Sequence, residues 1–159
     1  MLTVRATTSD DAEAVMRIAA GVTVFSAEEV RAVGELLDLY FSDREQDEFL
    51  FITAANDGIV LGFACYGRIA LTARNYELNW LATDPQAGRR GVAAALLGEV
   101  EAIARSAGAR YVNLETSASP PYAPARAFYA RQGYTIAARF PDWYTDGDEM
   151  LIYRKELTA

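Results

Sequence analysis

Hydrophobic and polar residues follow two different periods along this chain, and these periods predict an interleaved series of strands and helices. Short runs rich in β-branched and aromatic residues, bounded by turn residues, predict strands. These runs cover residues 2–5, 49–55, 59–66, 77–83, 111–115, 134–140 and 149–156. Segments with apolar residues three or four positions apart predict helices that begin near Ala12, Ser26, Val92 and Ala123. This order predicts an α/β fold with a mixed sheet and helices on both faces.

Turn and capping residues set several boundaries of the predicted elements. The tripeptide NDG between the second and third strand runs is a strong hairpin signal. Ser26 with Glu29 forms a capping-box start for the second helix, and Gly108 is placed to end the third. Two segments are predicted to be irregular: a charged connector over 42–48, and the segment PDWYTDGD, which separates the last two strands.

Composition and charge exclude several classes of function. With 159 residues, of which 52% are hydrophobic and 23% charged, the chain can build one ordinary soluble domain with a proper core. No apolar run approaches the roughly 18 residues of a membrane span, and the start of the sequence lacks the order of a secretory signal, so we expect a cytoplasmic location and no membrane partner. The net charge of −7 argues against nucleic acid as a partner.

The residue types that are missing also limit the chemistry. The sequence has no histidine and one cysteine, Cys65, which lies in a hydrophobic strand run and is expected to be a small buried hydrophobe. An internal disulfide, a zinc site and a nucleophile paired with histidine are therefore excluded. We expect no metal.

The stretch 77–105 carries the most specific chemical signal. A strand run is followed by a loop rich in glycine and arginine and then by a helix that begins at Val92. The first N–H groups of a helix have no internal partner and the helix dipole is positive there, so this end can hold an anion. Gly91 lets the backbone approach the anion closely, and Arg89 and Arg90 can add charged donors.

This loop resembles the acyl-CoA loop of the GCN5-related N-acetyltransferase (GNAT) superfamily, which is usually written Q/R-x-x-G-x-G/A. The sequence GRRGVA fits its last three positions, whereas Gly88 stands where the family has Gln or Arg. The later stretch APARAFYARQGY is similar to a second motif of the family, although Tyr122 precedes it where the family often has Asn. The residues that match this second motif are Ala125, Phe128, Tyr129, Gly133 and Tyr134. The two motifs occur in the family's order, and the resemblance covers about residues 4–157.

The resemblance implies a fold and a donor substrate. The implied fold is a mixed, mostly antiparallel sheet of about six or seven strands with helices on both faces, in one acyl-CoA N-acyltransferase domain over residues 1–159. The implied donor is acetyl-CoA, with its pantetheine arm along the central strand and its pyrophosphate on the loop. The expected cofactor-binding residues follow the strand, the loop and the second motif: Leu81, Ala82, Thr83, Gly88, Arg89, Arg90, Gly91, Val92, Ala93, Phe128 and Arg131.

The resemblance also implies catalytic residues. Tyr129 is the candidate donor to the departing thiolate, because a phenol with a pKa near 10 is neutral at pH 7. The alternative is that Tyr129, beside Phe128, is a core residue of an amphipathic helix. Glu77 stands where the protein-acetylating branch of the family carries a catalytic glutamate, and Glu115 is the competing carboxylate for the role of base. A solvated glutamate is the alternative for Glu77.

An aromatic set supplies candidates for the acceptor pocket: Phe25, Tyr66, Trp80, Tyr122, Trp143 and Tyr144. These side chains could hold an apolar or cationic group. The apolar linker at Val24 and Phe25 is either a staple between two helices or the lip of this pocket. Glu77, Glu115 and Asp142 indicate a cationic amine.

The expected function is therefore transfer of an acetyl group from acetyl-CoA to a primary amine of a small molecule or peptide, by direct attack in a ternary complex. A homodimer is one option for the assembly. The alternative function is a non-catalytic acyl-CoA sensor or regulatory module.

Overall fold

The computed structural model describes residues 1–88 and 90–158. In this part of the chain seven strands form one sheet with the order β1-β2-β3-β4-β5-β7-β6. The strands are β1 Leu2–Ala6, β2 Leu50–Asn56, β3 Ile59–Arg68, β4 Asn75–Thr83, β5 Tyr111–Ser117, β6 Thr135–Thr145 and β7 Asp148–Glu156. The helices are α1 Ala12–Gly21, α2 Ala27–Ser42, α3 Val92–Ser106 and α4 Ala123–Arg131. The described residues also form three short 3-10 turns. Ser9–Asp11 precedes α1, Pro85–Ala87 follows β4, and Pro120–Tyr122 precedes α4.

The helices cover both faces of the sheet, because the strands bury apolar side chains on both sides. On one face, which we call the α1/α2 face, Phe51, Phe63 and Cys65 pack with Val15 and Val33 of the helices. The opposite, α3/α4 face buries a second cluster that includes Leu96, Leu97 and Val100 of α3 together with Leu114 and Tyr153 of the strands. Phe128 and Tyr129 of α4 pack against this second cluster. Successive residues of a strand point to opposite faces, so β3 contributes Cys65 to one cluster and Tyr66 to the other.

The strands β4 and β5 are parallel neighbours that pair over a short length. Asn75–Glu77 of β4 pair with Tyr111–Asn113 of β5, and the described register contains no further pair between these strands. Side chains fasten the paired end: the Asn113 Nδ2 atom donates to the Asn75 Oδ1 atom at 3.2 Å and to the Tyr76 carbonyl oxygen at 3.1 Å. Arg154 of β7 donates to the same Asn75 oxygen at 3.1 Å. Beyond Glu77 the two strands leave a gap in the sheet.

A bulge in β4 lies beside this gap. Cys65 of β3 pairs with Trp80, whereas the next residue, Tyr66, pairs with Leu78, so Asn79 is an extra residue in β4. A bulge increases the local twist and bends its strand. The bend accompanies the separation of β4 from β5.

The expected fold class is confirmed, with seven strands and helices on both faces. The described register has one parallel pair, β4 with β5, and five antiparallel pairs. The hairpin at NDG is confirmed, because Asp57 and Gly58 both have positive φ angles, 50° and 79°, as a type I′ turn requires. Ser26 caps α2 by accepting a hydrogen bond from the Glu29 N–H at 3.1 Å.

Two boundary predictions were wrong. The central strand begins at Asn75 and not at Glu77, because 75–77 are the residues that pair with β5. The segment PDWYTDGD is not a loop between the last strands. Its first five residues extend β6 to Thr145, and the turn consists of Asp146 and Gly147.

The start of α3 lies against β3 at a glycine. A Cβ atom at Gly62 would lie 2.8 Å from the Val92 Cγ1 atom, 2.9 Å from the Ala82 carbonyl oxygen and 3.1 Å from the Leu96 Cδ1 atom. These contacts are shorter than packed side chains tolerate, and one of them is to backbone. Gly62 therefore permits the first two turns of α3 to approach the sheet closely.

We expect Gly62→Ala to destabilise the protein by about 1–3 kcal/mol, the usual cost of overpacking a core. The control is Gly98→Ala in α3, the helix that packs on Gly62, where an added Cβ would meet nothing within 4 Å. Since alanine exceeds glycine in helix propensity by about 0.8–1 kcal/mol, the control should be as stable as the wild type or more stable. Urea denaturation measures both changes, and an unchanged free energy of unfolding in Gly62→Ala would contradict the close approach.

Candidate active site

The gap exposes one edge of the central strand. Beyond Glu77, β4 keeps its pairing with β3 on one side, where Leu81 pairs with Ala64 and Thr83 with Gly62. Its other edge has no strand partner among the described residues. Backbone N–H and C=O groups along this edge can therefore pair with an extended ligand in the manner of an added strand.

The loop after β4 ends at an open helix start. Gly91 is the N-cap of α3 with φ 72° and ψ 16°, a left-handed conformation that glycine adopts without strain, and it provides no side-chain cap. A Cβ atom at Gly88 or at Gly91 would meet nothing within 4 Å. The N–H groups of Val92 and Ala93 in the first turn are thus available to an anion that approaches through open space.

The loop carries the two arginines that were predicted to bind the cofactor. Arg90 is exposed, and a predicted role in holding an anion is compatible with this position. Arg89, the other predicted cofactor-binding arginine, lies outside the described residues.

Tyr129 packs on the α3/α4 face among other aromatic rings. Its ring centroid lies 5.4 Å from that of Phe128, 6.1 Å from that of Tyr134 and 6.2 Å from that of Tyr153. Burial raises the pKa of Tyr129 to about 12, so the phenol stays neutral at physiological pH. In the part of the chain that the structure describes, its hydroxyl has no hydrogen-bond partner. The two interpretations of Tyr129 are thus compatible: the ring packs in the core and the hydroxyl remains a free donor.

Glu77 and Glu115 lie on the α1/α2 face. Their neighbours Leu78 and Leu114 point to the cluster beneath α3, so the alternation of strand residues directs both carboxylates to the opposite side. Glu77 is half-buried and Glu115 is exposed. Burial raises the pKa of Glu77, and the negative charge of Glu115 raises it further. A carboxylate with a raised pKa is a better proton acceptor than an ordinary glutamate.

Two aromatic side chains border the same face. The Tyr144 Oη atom donates a hydrogen bond to the Glu115 Oε2 atom at 3.1 Å. Burial raises the pKa of Tyr144, and the charge of Glu115 raises it further. Burial also raises the pKa of Tyr122, with smaller contributions from Glu29 and Asp148. These side chains therefore lie close enough to interact electrostatically.

The linker between α1 and α2 contacts this region. The Phe25 ring packs edge-to-face on Trp80 of β4, with centroids 5.2 Å apart. The Tyr122 Oη atom donates to the Val24 carbonyl oxygen at 3.2 Å. The linker thus packs against the central strand, as the staple interpretation requires, and also borders the face that carries Glu77, as the pocket interpretation requires.

Other predicted site residues lie elsewhere or have other contacts. Tyr66 is buried in the cluster beneath α3, away from Phe25 and Trp80, and burial raises its pKa to about 12. Arg131 is exposed in the last turn of α4. The Asp142 carboxylate accepts a hydrogen bond from the Gly147 N–H at 2.7 Å, and Trp143 packs on Phe140 at 5.4 Å. Leu81, Ala82 and Thr83 lie on the open edge of β4, as their predicted role requires.

Sequence reasoning missed Glu29 and Asp148, which flank Tyr122 and Tyr144 on this face. Asp148 is the first residue of β7, and its carboxylate accepts a hydrogen bond from the Ser117 hydroxyl. The dipeptide Asp146-Gly147 is a hairpin signal that could have located this position. No comparable signal marks Glu29, since it also serves as an ordinary residue of a capped helix start.

Comparison with known proteins decides the family. The sequence model of the Acetyltransferase (GNAT) family matches residues 16–134. The chain belongs to the GNAT acetyltransferase family. It is therefore an N-acetyltransferase. Comparison with curated protein sequences gave no match.

Solved structures agree with this GNAT assignment. A GNAT-family protein from Desulfovibrio desulfuricans is 33% identical, with a TM-score of 0.95 over 99% of this chain and 100% of that chain. The ribosomal-protein-S18-alanine N-acetyltransferase from Escherichia coli is 21% identical, with a TM-score of 0.78 over 100% and 96%. The PaiA N-acetyltransferase from Thermoplasma acidophilum, solved in complex with coenzyme A, is 22% identical, with a TM-score of 0.75 over 98% and 99%. At these last two identities the likeness concerns the fold alone.

Two further features of this GNAT chain concern only residues 1–88 and 90–158. Each described helix is too short or too polar to cross a membrane. The described side chains contain no group of three or more potential metal ligands.

Proposed function

We propose that this GNAT enzyme transfers the acetyl group of acetyl-CoA to a primary amine of a small molecule or peptide, by direct attack in a ternary complex. The observation that carries the proposal is the gap between β4 and β5, which opens next to the uncapped start of α3. An extended arm that ends in a diphosphate matches both features. The coenzyme A in the Thermoplasma PaiA complex is a ligand of this kind, bound to a protein of the same fold.

The donor would bind mostly through main chain. The backbone of Leu81, Ala82 and Thr83 offers the open edge of β4 to the pantetheine amides. The N–H groups that follow Gly91 face open space, where the pyrophosphate would lie. The exposed Arg90 would add a charged donor. Because the backbone would supply most of the contacts, a loop with Gly88 in place of Gln or Arg could still bind the pyrophosphate.

The carboxylates would remove the proton of the amine. Glu77 is half-buried, and both burial and the charge of Glu115 raise its pKa, which makes it a better proton acceptor than an ordinary glutamate. Glu115 is the second candidate for the base, directly or through a water molecule. Backbone N–H groups on the open edge of β4 would donate hydrogen bonds to the tetrahedral oxyanion.

Tyr129 would serve the leaving thiolate from the other face of the sheet. The pKa of this phenol, about 12, lies well above the ordinary thiol value of about 8.5, so complete proton transfer to the thiolate is uphill. A hydrogen bond that strengthens as the negative charge develops requires no such transfer. We therefore assign Tyr129 the role of hydrogen-bond donor to the thiolate.

The charges on the α1/α2 face favour a cationic acceptor. Glu29, Glu115 and Asp148 each raise the pKa of a neighbouring group on this face, and Glu77 is one of the groups that Glu115 affects. Among the described residues none of these four carboxylates takes part in a salt bridge. Carboxylates that are not paired with a basic side chain attract ammonium groups and repel acidic acceptors. Tyr122, Tyr144 and Trp80 add aromatic surface for a cation.

Acceptor preference tests the proposed function. With acetyl-CoA as donor, CoA release should be fastest with cationic primary amines or with peptides whose N-terminal segment lacks acidic side chains. Higher salt should raise the acceptor KM because it screens the carboxylates. The matched control is the N-acetylated form of each amine, which cannot react. Turnover confined to acidic acceptors would contradict the cationic class, and CoA binding without turnover of any amine would indicate a regulatory acyl-CoA-binding protein.

Gly91→Glu should abolish binding of coenzyme A in a folded protein, because it places a carboxylate in the space proposed for the pyrophosphate. Calorimetric titration measures the affinity. The control is Gly108→Glu at the other end of α3, where φ is 85° and an added Cβ also meets nothing within 4 Å. Both changes carry the left-handed strain of about 1–2 kcal/mol, so only the position differs. Equal affinity in the two variants would exclude the helix start as the anion site.

Tyr129→Phe should lower kcat roughly tenfold or more, because the lost hydrogen bond would stabilise a developing negative charge. The affinity for acetyl-CoA should stay unchanged, because the ring and its packing are retained. Steady-state kinetics with the best amine of the panel separates kcat from KM. An unchanged kcat, measured under conditions where chemistry limits the rate, would remove the Tyr129 hydroxyl from the mechanism.

A further inference from the structure

The end of β6 has an irregular register with a defined shape. Phe140 pairs with Met150 and Thr145 pairs with Asp148, so β6 uses five residue steps where β7 uses two. Asp142 within this stretch has a φ angle of 54°, and its Oδ1 atom accepts a hydrogen bond from the Gly147 N–H at 2.7 Å. The extra residues of β6 therefore form a bulge that is closed by its own hydrogen bond.

This bulge brings Tyr144 to a carboxylate two strands away. β7 lies between β6 and β5, so the Tyr144 ring has to cross β7 for its hydroxyl to donate to the Glu115 Oε2 atom at 3.1 Å. An exposed glutamate on a strand normally samples several rotamers. The hydrogen bond restricts Glu115 to the rotamers that keep Oε2 at the hydroxyl and leaves its second oxygen free.

We propose that Tyr144 is a positioning residue of the acetyl transfer, which holds the Glu115 carboxylate beside the gap between β4 and β5 so that the free oxygen receives the acceptor amine. The inference rests on the proposed function. Tyr144 acts through Glu115 and has no role in binding acetyl-CoA.

The neighbours of Glu115 explain why a donor is needed there. Two titratable groups interact with Glu115: Glu77 on β4 and Tyr144 itself, whereas Asp148 on β7 and Tyr122 before α4 act on Tyr144. The Glu77 carboxylate repels the charge of Glu115. Tyr144 is the hydrogen-bond donor to this carboxylate among the described residues. Its hydrogen bond therefore holds the Glu115 carboxylate in place against this repulsion.

Steady-state kinetics of Tyr144→Phe tests the positioning role. A hydrogen bond to a charged group changes an equilibrium constant by about ten- to a hundredfold, and this exposed pair belongs at the lower end of that range. The acceptor KM should therefore rise roughly tenfold, whereas the KM for acetyl-CoA and the melting temperature stay near the wild-type values. The matched control is Tyr111→Phe on β5, which makes the same chemical change at a hydroxyl without a hydrogen bond among the described residues. An acceptor KM that does not change in Tyr144→Phe would overturn the proposal.

A double-mutant cycle separates positioning from a direct contact between Tyr144 and the acceptor. Glu115→Gln should itself raise the acceptor KM, because it removes the negative charge. If Tyr144 acts through Glu115, the variant with both substitutions should be no worse than Glu115→Gln alone. Multiplicative effects of the two substitutions would show that Tyr144 acts independently, and would overturn the proposal.

A spectroscopic readout tests the contact without an acceptor. In protein with isotope-labelled tyrosine Cζ atoms, Tyr144→Phe identifies the Tyr144 resonance by its loss. Glu115→Gln should shift this resonance, and an unshifted resonance would overturn the proposal. Failure of the proposed function gives a different result, because the wild type would then acetylate no amine. The positioning role would be excluded together with that function. Turnover by the wild type with unaltered kinetics in Tyr144→Phe would remove the positioning role alone.

Discussion

The early end of the pairing between β4 and β5 is the constraint on which the rest of the site depends. A parallel pair gains one backbone hydrogen bond after another, so two neighbouring strands should continue to pair unless something prevents it. Here the ladder stops at Glu77 and Asn113. The Asn113 side-chain amide donates to Asn75 and to the Tyr76 carbonyl oxygen. The Arg154 guanidinium donates to Asn75 and lies 3.4 Å from the centroid of the Tyr111 ring.

The same separation requires support on the other side of β4. Antiparallel pairing with β3 persists through the bulge at Asn79, and Gly62 lets the start of α3 pack directly on that pair. As a result, the open strand edge and the open helix start belong to one packed unit. A ligand that bridges them meets a preorganised surface, which reduces the ordering entropy that binding must overcome.

Part of this arrangement could be predicted from sequence because it is local. The NDG turn, the Ser26 cap and the glycine at the start of α3 each depend on the conformation of a few consecutive residues. The fold class followed from the order of the elements and from the resemblance. The residues of the open edge, Leu81 to Thr83, came from the resemblance, since nothing in their own composition distinguishes an unpaired edge from a paired one.

The rest depends on register, which local patterns do not encode. The bulge at Asn79 exists only in relation to β3. The end of β6 was predicted to be irregular, and it contains Pro141, a residue that removes a ladder hydrogen bond. β6 is the edge strand of the sheet, and Pro141 lies where its register is irregular, so the missing N–H costs little. The contact between Tyr144 and Glu115 arises from this misread segment and could not be found before the register was known.

The two faces of the sheet suggest how the proposed reaction is divided. Glu77 and Glu115 lie on the α1/α2 face, where carboxylates are numerous and none of the described ones near Tyr122 and Tyr144 forms a salt bridge. Tyr129 lies on the α3/α4 face among aromatic rings.

The gap in the sheet joins these two environments. In the proposed mechanism a cationic amine gives up its proton on the acidic side, where negative charge attracts the amine and raises the proton affinity of Glu77. The thiolate leaves on the apolar side, where a neutral phenol can donate to it without a carboxylate competing for the same hydroxyl. If both groups lay on one face, the negative carboxylates would oppose the developing thiolate charge. The separation of β4 from β5 thus supplies two electrostatic environments at the two ends of a single bond rearrangement.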